Sequence, residues 1–260
     1  MSIHPIKMVV TDLDGTLFRS DKSISEYSKN VIQRCRENGI LFVVATARMK
    51  RLVDHFLHDI ALDGCIYHNG ASVFLHGKEI ASHRISSSAV QRVLGGIRSA
   101  RPDAQLAVQA RDTFFTNFDA VMMTKAAVMI QRPISELPAC DADKINVLVS
   151  GPAEAKEYER FLDDELYIVC SENAFGMVMH KDATKLNGIR AIAEAAHIPM
   201  LEIAAFGDDY NDLDMLSGCG IGVAMGNAVD EVKLLADDIC QDNDSDGVAN
   251  WLEVHLLSGN

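Results

Sequence analysis

Apolar positions along this chain follow two rhythms. Ile6–Thr11 is a short β-rich run, and Ile40–Thr46 is continuously apolar, the pattern of a strand buried on both faces. Cys65–His68, Leu201–Phe206 and Gly220–Ala224 read as further strands. Between them, apolar residues recur at helical spacing over Ile24–Glu37, Lys50–His58, Lys185–His197, Asn211–Leu216, Val229–Ala236 and Trp251–Leu257. Ser23 and Glu26 form a capping-box pattern before the first helix, and Asn38-Gly39 ends it. Asn69-Gly70 marks a hairpin turn. Alternating β and α units predict an α/β fold with a doubly wound, Rossmann-like parallel sheet.

The middle of the chain breaks that alternation. It reads as helix Ser88–Ala100, strands Gln105–Gln109 and Thr113–Asn117, helix Ala120–Ile130, strand Lys144–Ser150, helix Ala153–Leu162, and paired strands Tyr167–Ser171 and Gly176–His180. Strands that follow one another without a helix predict an α+β insert with an antiparallel sheet. The expected division is a core built from residues 1–82 and 183–260, with an inserted cap domain at 83–182.

Composition limits the partners. The 260 residues carry 24 Lys and Arg against 37 Asp and Glu, a net charge of −13, which argues against nucleic acid or an anionic membrane surface. No apolar run approaches the ~20 residues that span a bilayer. Residues 1–7 lack a basic region followed by an apolar run, so no signal peptide is expected. The six cysteines form no C-x-x-C and no zinc spacing. The expected setting is cytoplasmic. Nothing in the sequence fixes oligomeric state, and a monomer fits.

The chemistry begins where the first strand ends. In Asp12-Leu13-Asp14-Gly15-Thr16, residues two apart on a strand project to one side, so both carboxylates could face one small volume. Thr46 ends the second strand, where its hydroxyl could donate to a phosphate oxygen; Ala47 and Arg48 follow. Lys185 opens a helix, and its ammonium could neutralise a phosphoryl oxygen. Gly207-Asp208-Asp209-Tyr210-Asn211-Asp212 adds carboxylates after another strand. Each residue alone has a bland reading, as a turn, a cap or a solvated charge. Their order, with three groups closing apolar strands, favours a site, because open α/β sheets bind ligands at the carboxyl ends of their strands.

This set resembles the haloacid dehalogenase superfamily, in its Cof-type phosphatase branch. Asp12-Leu13-Asp14-Gly15-Thr16 looks like the first family motif, Thr46 the second, Lys185 the third and Gly207–Asp212 the fourth. Asn69-Gly70-Ala71 and Ala224-Met225-Gly226-Asn227-Ala228 match further segments of that branch. Two positions depart from the pattern: Ala47 stands where Gly often follows the Thr, and Leu186-Asn187-Gly188 follows the Lys where Gly is common.

The resemblance implies a Mg²⁺-dependent phosphatase acting on small phosphomonoesters, such as sugar phosphates or related metabolites. Asp12 would be the nucleophile and Asp14 the general acid, then base. Mg²⁺ would be held by the Asp12 and Asp208 carboxylates and the Asp14 backbone carbonyl, with Asp212 holding metal waters or Lys185. Thr46, Lys185, Asn211 and the backbone at Ala47 would bind the phosphoryl group, with Arg48 and Asn69 candidates for substrate contact. Two alternatives use the same residues differently: a phosphomutase, or a non-catalytic phospho-acceptor or calcium-binding module. The calcium idea comes from Asp242-Asn243-Asp244-Ser245-Asp246-Gly247 with Glu253, which fits an EF-hand loop expression. A short strand before it, where an EF-hand needs a helix, favours an acidic turn entering the last helix instead. Gly218–Gly222 has the wrong glycine spacing for a dinucleotide loop, so no nucleotide cofactor is expected.

Overall fold

The computed structural model describes residues 5–119, 128–171 and 174–258. The chain forms two compact units, one of Met1–Ala47, Phe56–Ser82 and Thr184–Asn260, the other of Arg48–His55 and His83–Ala183.

In chain order, the elements begin with β1 (Met8–Thr11), α1 (Glu26–Glu37), β2 (Leu41–Ala45), α2 (Lys50–Phe56), β3 (Gly64–Tyr67), β4 (Ser72–Leu75) and β5 (Lys78–Ser82). The second unit continues with α3 (Ser87–Ala100), β6 (Leu106–Ala110), β7 (Thr113–Thr116), β8 (Val128–Gln131), β9 (Lys144–Leu148), α4 (Pro152–Lys156), β10 (Leu166–Ser171) and β11 (Phe175–His180). The chain returns to the first unit with α5 (Lys185–Ala196), β12 (Ile203–Gly207), α6 (Leu213–Gly218), β13 (Ile221–Ala224), α7 (Asp230–Leu235), β14 (Asp238–Ile239) and α8 (Gly247–Leu252).

Among the described residues, the first unit's sheet runs β14-β13-β12-β1-β2-β3-β4-β5. It is parallel from β14 to β3, and β3, β4 and β5 are antiparallel. β1 lies between β12 and β2, so the segments after these three strands emerge side by side. Both faces of these strands are covered: Met8, Val9, Val10, Phe42, Val43, Val44 and Phe206 are fully buried, which is why the runs are continuously apolar rather than alternating. Trp251 of α8 packs edge-on against Phe206 at 5.3 Å, and its indole N–H donates to Asp238. α1 starts at Ser25 rather than Ser23: the Ser25 hydroxyl accepts from Ser28 N, while the Ser23 carbonyl is taken by Arg19 N.

The second unit's sheet runs β10-β11-β9-β6-β7-β8. It is antiparallel except for the β7–β8 pair, which is parallel. α3 is capped by Ser86 and buries Val90, Val93, Leu94 and Ile97, one helical face, among Leu106, Ile145 and Val178.

Three expected elements differ. The helix expected at Ala120–Ile130 is not seen at its C-terminal end, because Val128–Gln131 pairs with β7 as a strand; residues 120–127 lie outside the described residues. The expected helix Ala153–Leu162 is the short α4 followed by a separate 3₁₀ turn at Glu159–Phe161. The last helix starts earlier, at Gly247, and widens into a π-turn over Glu253–Leu257. The cysteines form no disulfide; Cys35 is buried and the other five are half-buried. No helix among the described residues is long and apolar enough to cross a membrane.

Candidate active site

The chain turns immediately after β1. Leu17 N donates to Asp12 O and Phe18 N to Leu13 O, wrapping residues 12–18 into a tight loop. Gly15 makes this possible twice over. Its φ is +79°, and a Cβ there would lie 2.2 Å from Asp208 Oδ2. Because the turn starts at once, strand alternation does not carry the two acids to one place. The Asp12 side chain is 9% exposed, whereas that of Asp14 is 38% exposed and accepts from Lys22 Nζ at 2.8 Å.

Asp12 instead meets residues from far along the chain. Lys185, the first residue of α5, has a side chain fully removed from solvent; its Nζ donates to Asp12 Oδ1 at 2.8 Å and to Asp212 Oδ1 at 2.6 Å. Thr184 caps that helix by accepting from Asn187 N. The other oxygen of Asp212 accepts from the backbone N–H groups of Asp208 and Asp209 at 2.9 and 3.1 Å. A Cβ at Gly207 would lie 2.5 Å from that of Asp212, so the chain approaches itself here at a distance only glycine allows. Asp208 Oδ1 accepts from the Thr16 hydroxyl at 2.6 Å.

The electrostatics are those of crowded acids. Burial pushes the Asp12 carboxyl up to about 7, against the pull of Lys185, and the Asp212 charge adds to the rise. Burial likewise takes Asp208 up to about 6. Burial works to lower the pKa of Lys185, but the carboxylates of Asp12 and Asp212 outweigh it and keep the ammonium above the usual lysine range. Asp12, Asp208 and Asp212 each bring a carboxylate oxygen within 4.8 Å of the others. The Lys185 ammonium bonds two of these three acids, and both oxygens of Asp212 are already engaged. The remaining donors are carboxylate oxygens in a charge-deficient site, which is the chemistry of a hard divalent cation.

Thr46 is buried at the end of β2. Its N donates to Ile66 O, and its carbonyl accepts from Asn69 N at 2.9 Å. Asn69, in the left-handed region at φ 56°, accepts through its side chain from Asn211 Nδ2 at 3.3 Å. The neighbouring Gly70 passes so close to the cap of α5 that a Cβ would lie 2.2 Å from Thr184 O. Thr46, Asn69 and Asn211 are thus linked beside the start of the Lys185 helix. Ala47 follows Thr46 half-buried, and Arg48 belongs to the second unit.

Three contributors carried no role in the sequence reading. Thr16 orients Asp208. Lys22 holds Asp14. The Asn227 side chain donates to Gly15 O at 2.8 Å and accepts from Asn243 N, fastening the loop after β1 to the loop after β13. Thr16 and Asn227 lie in segments that resemble family motifs, but Lys22 has no pattern around it.

The EF-hand-like segment is taken up by protein donors. Asp242 accepts from Ser245 N, Asp244 from Ser20, Asp246 from Arg19, Ser25 and Ser28, and Glu253 from Tyr27 and Arg34. Its acids dock the last helix against the loop after β1 and against α1, and they form no cation cluster among the described residues.

Known proteins resemble this chain over most of its length. The family model for haloacid dehalogenase-like hydrolases matches residues 9–252. The 5-amino-6-(5-phospho-D-ribitylamino)uracil phosphatase YitU of Bacillus subtilis is 29% identical, over 96% of this chain and 97% of its own. Phosphatase YwpJ of the same organism is 28% identical, over 97% of this chain and 100% of its own. The solved structure of BT1666 from Bacteroides thetaiotaomicron, described among phosphatases of the HAD enzyme superfamily, superposes with a TM-score of 0.85 at 25% identity, over 97% of this chain and 96% of that one.

Proposed function

This chain belongs to the haloacid dehalogenase-like hydrolase family, and we propose that it is a Mg²⁺-dependent phosphatase that hydrolyses a small phosphomonoester through an aspartyl-phosphate on Asp12. The observation that carries this reading is the buried Lys185 ammonium bridging Asp12 and Asp212, with Asp208 beside them, at the carboxyl ends of β1 and β12. Phosphoryl transfer needs mostly positioning and charge stabilisation, and these residues supply both.

In the first step, an Asp12 carboxylate oxygen bonds to phosphorus and the bond from phosphorus to the ester oxygen breaks. Asp14 gives a proton to the departing alkoxide. Its carboxyl can reach that role by leaving Lys22, an exposed ion pair that costs little to open. In the second step, water attacks phosphorus, Asp14 takes its proton, and Asp12 is released with inorganic phosphate. Lys185 keeps the Asp12 oxygen in place and offsets charge on the phosphoryl oxygens, with Thr46 and Asn211 as further donors. Asp12 and Asp208, with the Asp14 carbonyl, would hold Mg²⁺; when bound, it supplies the positive charge that lets an anionic phosphoryl group approach three acids. Asp212 fixes Lys185. The name of YitU, with its phosphoribityl substrate, supports a phosphorylated polyol or sugar-like metabolite as the substrate class.

A panel of small phosphomonoesters, assayed for phosphate release with Mg²⁺ and with EDTA, tests the proposal. Release of phosphate that needs both Mg²⁺ and an intact Asp12 is expected. Turnover surviving in EDTA or in Asp12→Asn overturns it, and an isomerised ester without free phosphate identifies a mutase instead.

A further inference from the structure

We propose that His83, His180 and Asp182 form a second metal site, selective for a transition-metal ion of the zinc class, at the two ends of the second unit's long segment, His83–Ala183. The three residues each bring a ligand atom within 4.8 Å of the others. All three belong to the second unit, and none takes part in the reaction proposed above.

The local folding explains the convergence. His180 is the last residue of β11, paired with Leu166 of β10. A tight turn follows, closed by Ala183 N donating to His180 O at 2.8 Å, and it returns Asp182 over the strand end. Asp182 Oδ2 lies 3.7 Å from His180 Nδ1. His83 enters from the other end of the unit. The next residues anchor it: Ile85 exchanges both backbone hydrogen bonds with Ala142, and Arg84 donates to Asp143 at 2.9 Å. The two imidazoles lie nearly parallel, at 22°, with centroids 6.4 Å apart.

Donor type decides which ion fits. Two imidazole nitrogens and one carboxylate oxygen suit Zn²⁺, Ni²⁺ or Cu²⁺, whereas Mg²⁺ prefers an all-oxygen shell. Metal–ligand bonds of about 2.0–2.1 Å at tetrahedral angles place neighbouring donors about 3.4 Å apart. The Asp182–His180 separation is close to that, and small rotations of partly exposed side chains bring in His83. His180 Nδ1 accepts one hydrogen bond, from Asp182 N at 3.2 Å. An ion at that nitrogen displaces this long contact. A bound ion would clip residue 83 to residue 180, closing a loop of about 100 residues in the way that makes long-range crosslinks stabilising.

The test uses the full chain stripped of metal and then saturated with Mg²⁺, so that the acidic site is filled. Zn²⁺ is titrated against a chromogenic chelator for the wild type, His83→Gln, Asp182→Asn and Asp12→Asn. One tight Zn²⁺ equivalent is expected in the wild type and in Asp12→Asn, weakened at least about tenfold to a hundredfold by His83→Gln and by Asp182→Asn. Zn²⁺ should raise the unfolding temperature of the wild type and of Asp12→Asn but not of the other two. With Cu²⁺, electron paramagnetic resonance should show coupling to two imidazole nitrogens, falling to one in His83→Gln. His83→Gln should keep its Mg²⁺-supported turnover, which certifies its fold, and Asp182→Asn alters an exposed group and gives an independent reading. Equal Zn²⁺ affinity in wild type and both ligand variants, binding that Asp12→Asn removes, or no tight Zn²⁺ equivalent at all would overturn the proposal. None of these outcomes bears on the phosphatase reading, which the Mg²⁺ assay tests separately.

Discussion

Lys185 Nζ and Asp212 Oδ1 meet at 2.6 Å with both side chains fully removed from solvent. A lysine at the first position of a helix is unfavourable there, since the positive end of the helix dipole repels it. The position is tolerated because Asp12 and Asp212 both face it. Lys185→Met should therefore do two things. It removes a donor to the phosphoryl group, and it leaves two buried carboxylates without their cation. Breaking a buried pair in this way costs about 3–5 kcal/mol, so urea unfolding should show a clear loss of stability together with near-complete loss of phosphate release. Unchanged stability would mean that the ammonium does not hold the acids together.

Asp12→Asn should separate catalysis from folding. The amide keeps an oxygen to accept from Lys185, and the change takes one charge out of a cluster where burial already raises the carboxyl to about 7. Phosphate release should fall by about a thousandfold or more, since the nucleophile is lost. The thermal midpoint, measured without metal, should stay level or rise. A large fall in the midpoint would show that the Asp12 charge contributes to stability rather than opposing it.

Gly15→Ala should disable the site through its backbone. The residue sits at φ +79°, and the added methyl carbon would lie 2.2 Å from Asp208 Oδ2. Relief requires Asp208 to move, breaking its 2.6 Å contact with Thr16. Mg²⁺ affinity, read as the concentration giving half-maximal turnover, should weaken about tenfold or more. Strain at a positive φ should also lower stability by about 1–2 kcal/mol. Unaltered Mg²⁺ dependence would remove Asp208 from the proposed metal ligands.

Much of this was legible because it was repeated along the chain. The apolar runs of β1, β2 and β12 and the acids or hydroxyl just beyond them are visible together in the sequence. What pattern alone could not give was direction. Asp12 and Asp14 are two apart, yet the strand ends at Thr11, so one carboxylate goes inward to Lys185 and the other out to Lys22. Helix periodicity failed at Val128–Gln131, where pairing with β7 overrides a pattern that fits either element. The acids of residues 242–253 matched a calcium loop in spacing, but spacing does not say who occupies the oxygens, and here Arg19, Ser20, Ser25, Ser28, Tyr27 and Arg34 do.

Asp63 should govern part of the acid stability of the first unit. It accepts two parallel bonds from Arg36, both at 2.9 Å, and one from Phe42 N at 2.9 Å. Burial alone would raise its pKa, but Arg36 and the Phe42 amide outweigh burial and hold it below the usual carboxylate range. A carboxyl depressed in the folded state contributes stability that is complete above its unfolded pKa and is lost as pH falls through the folded value. Asp63→Asn should therefore be less stable than wild type at pH 7, and the gap should close at strongly acid pH. Urea midpoints measured across that range check this. A gap that persists below both pKa values would assign the effect to geometry rather than charge.

Asp246 should prove to be a structural anchor with no part in cation binding. Its carboxylate accepts from Arg19 through both Nε and Nη2 and from the hydroxyls of Ser25 and Ser28, and its backbone is left-handed at φ 55°. Asn tolerates that backbone, so Asp246→Asn removes the charge without adding strain. The substitution also replaces one acceptor oxygen with a donor, which faces Arg19 or the serine hydroxyls and breaks at least one charge-assisted bond. A loss of about 1–3 kcal/mol is expected, read by thermal or urea unfolding. In calorimetry with Mg²⁺ already saturating, added Ca²⁺ should give no further binding equivalent in either protein. A Ca²⁺ equivalent present in wild type and absent from Asp246→Asn would restore the loop as an ion site, and it would require Arg19 and Ser25 to release the carboxylate when the ion binds.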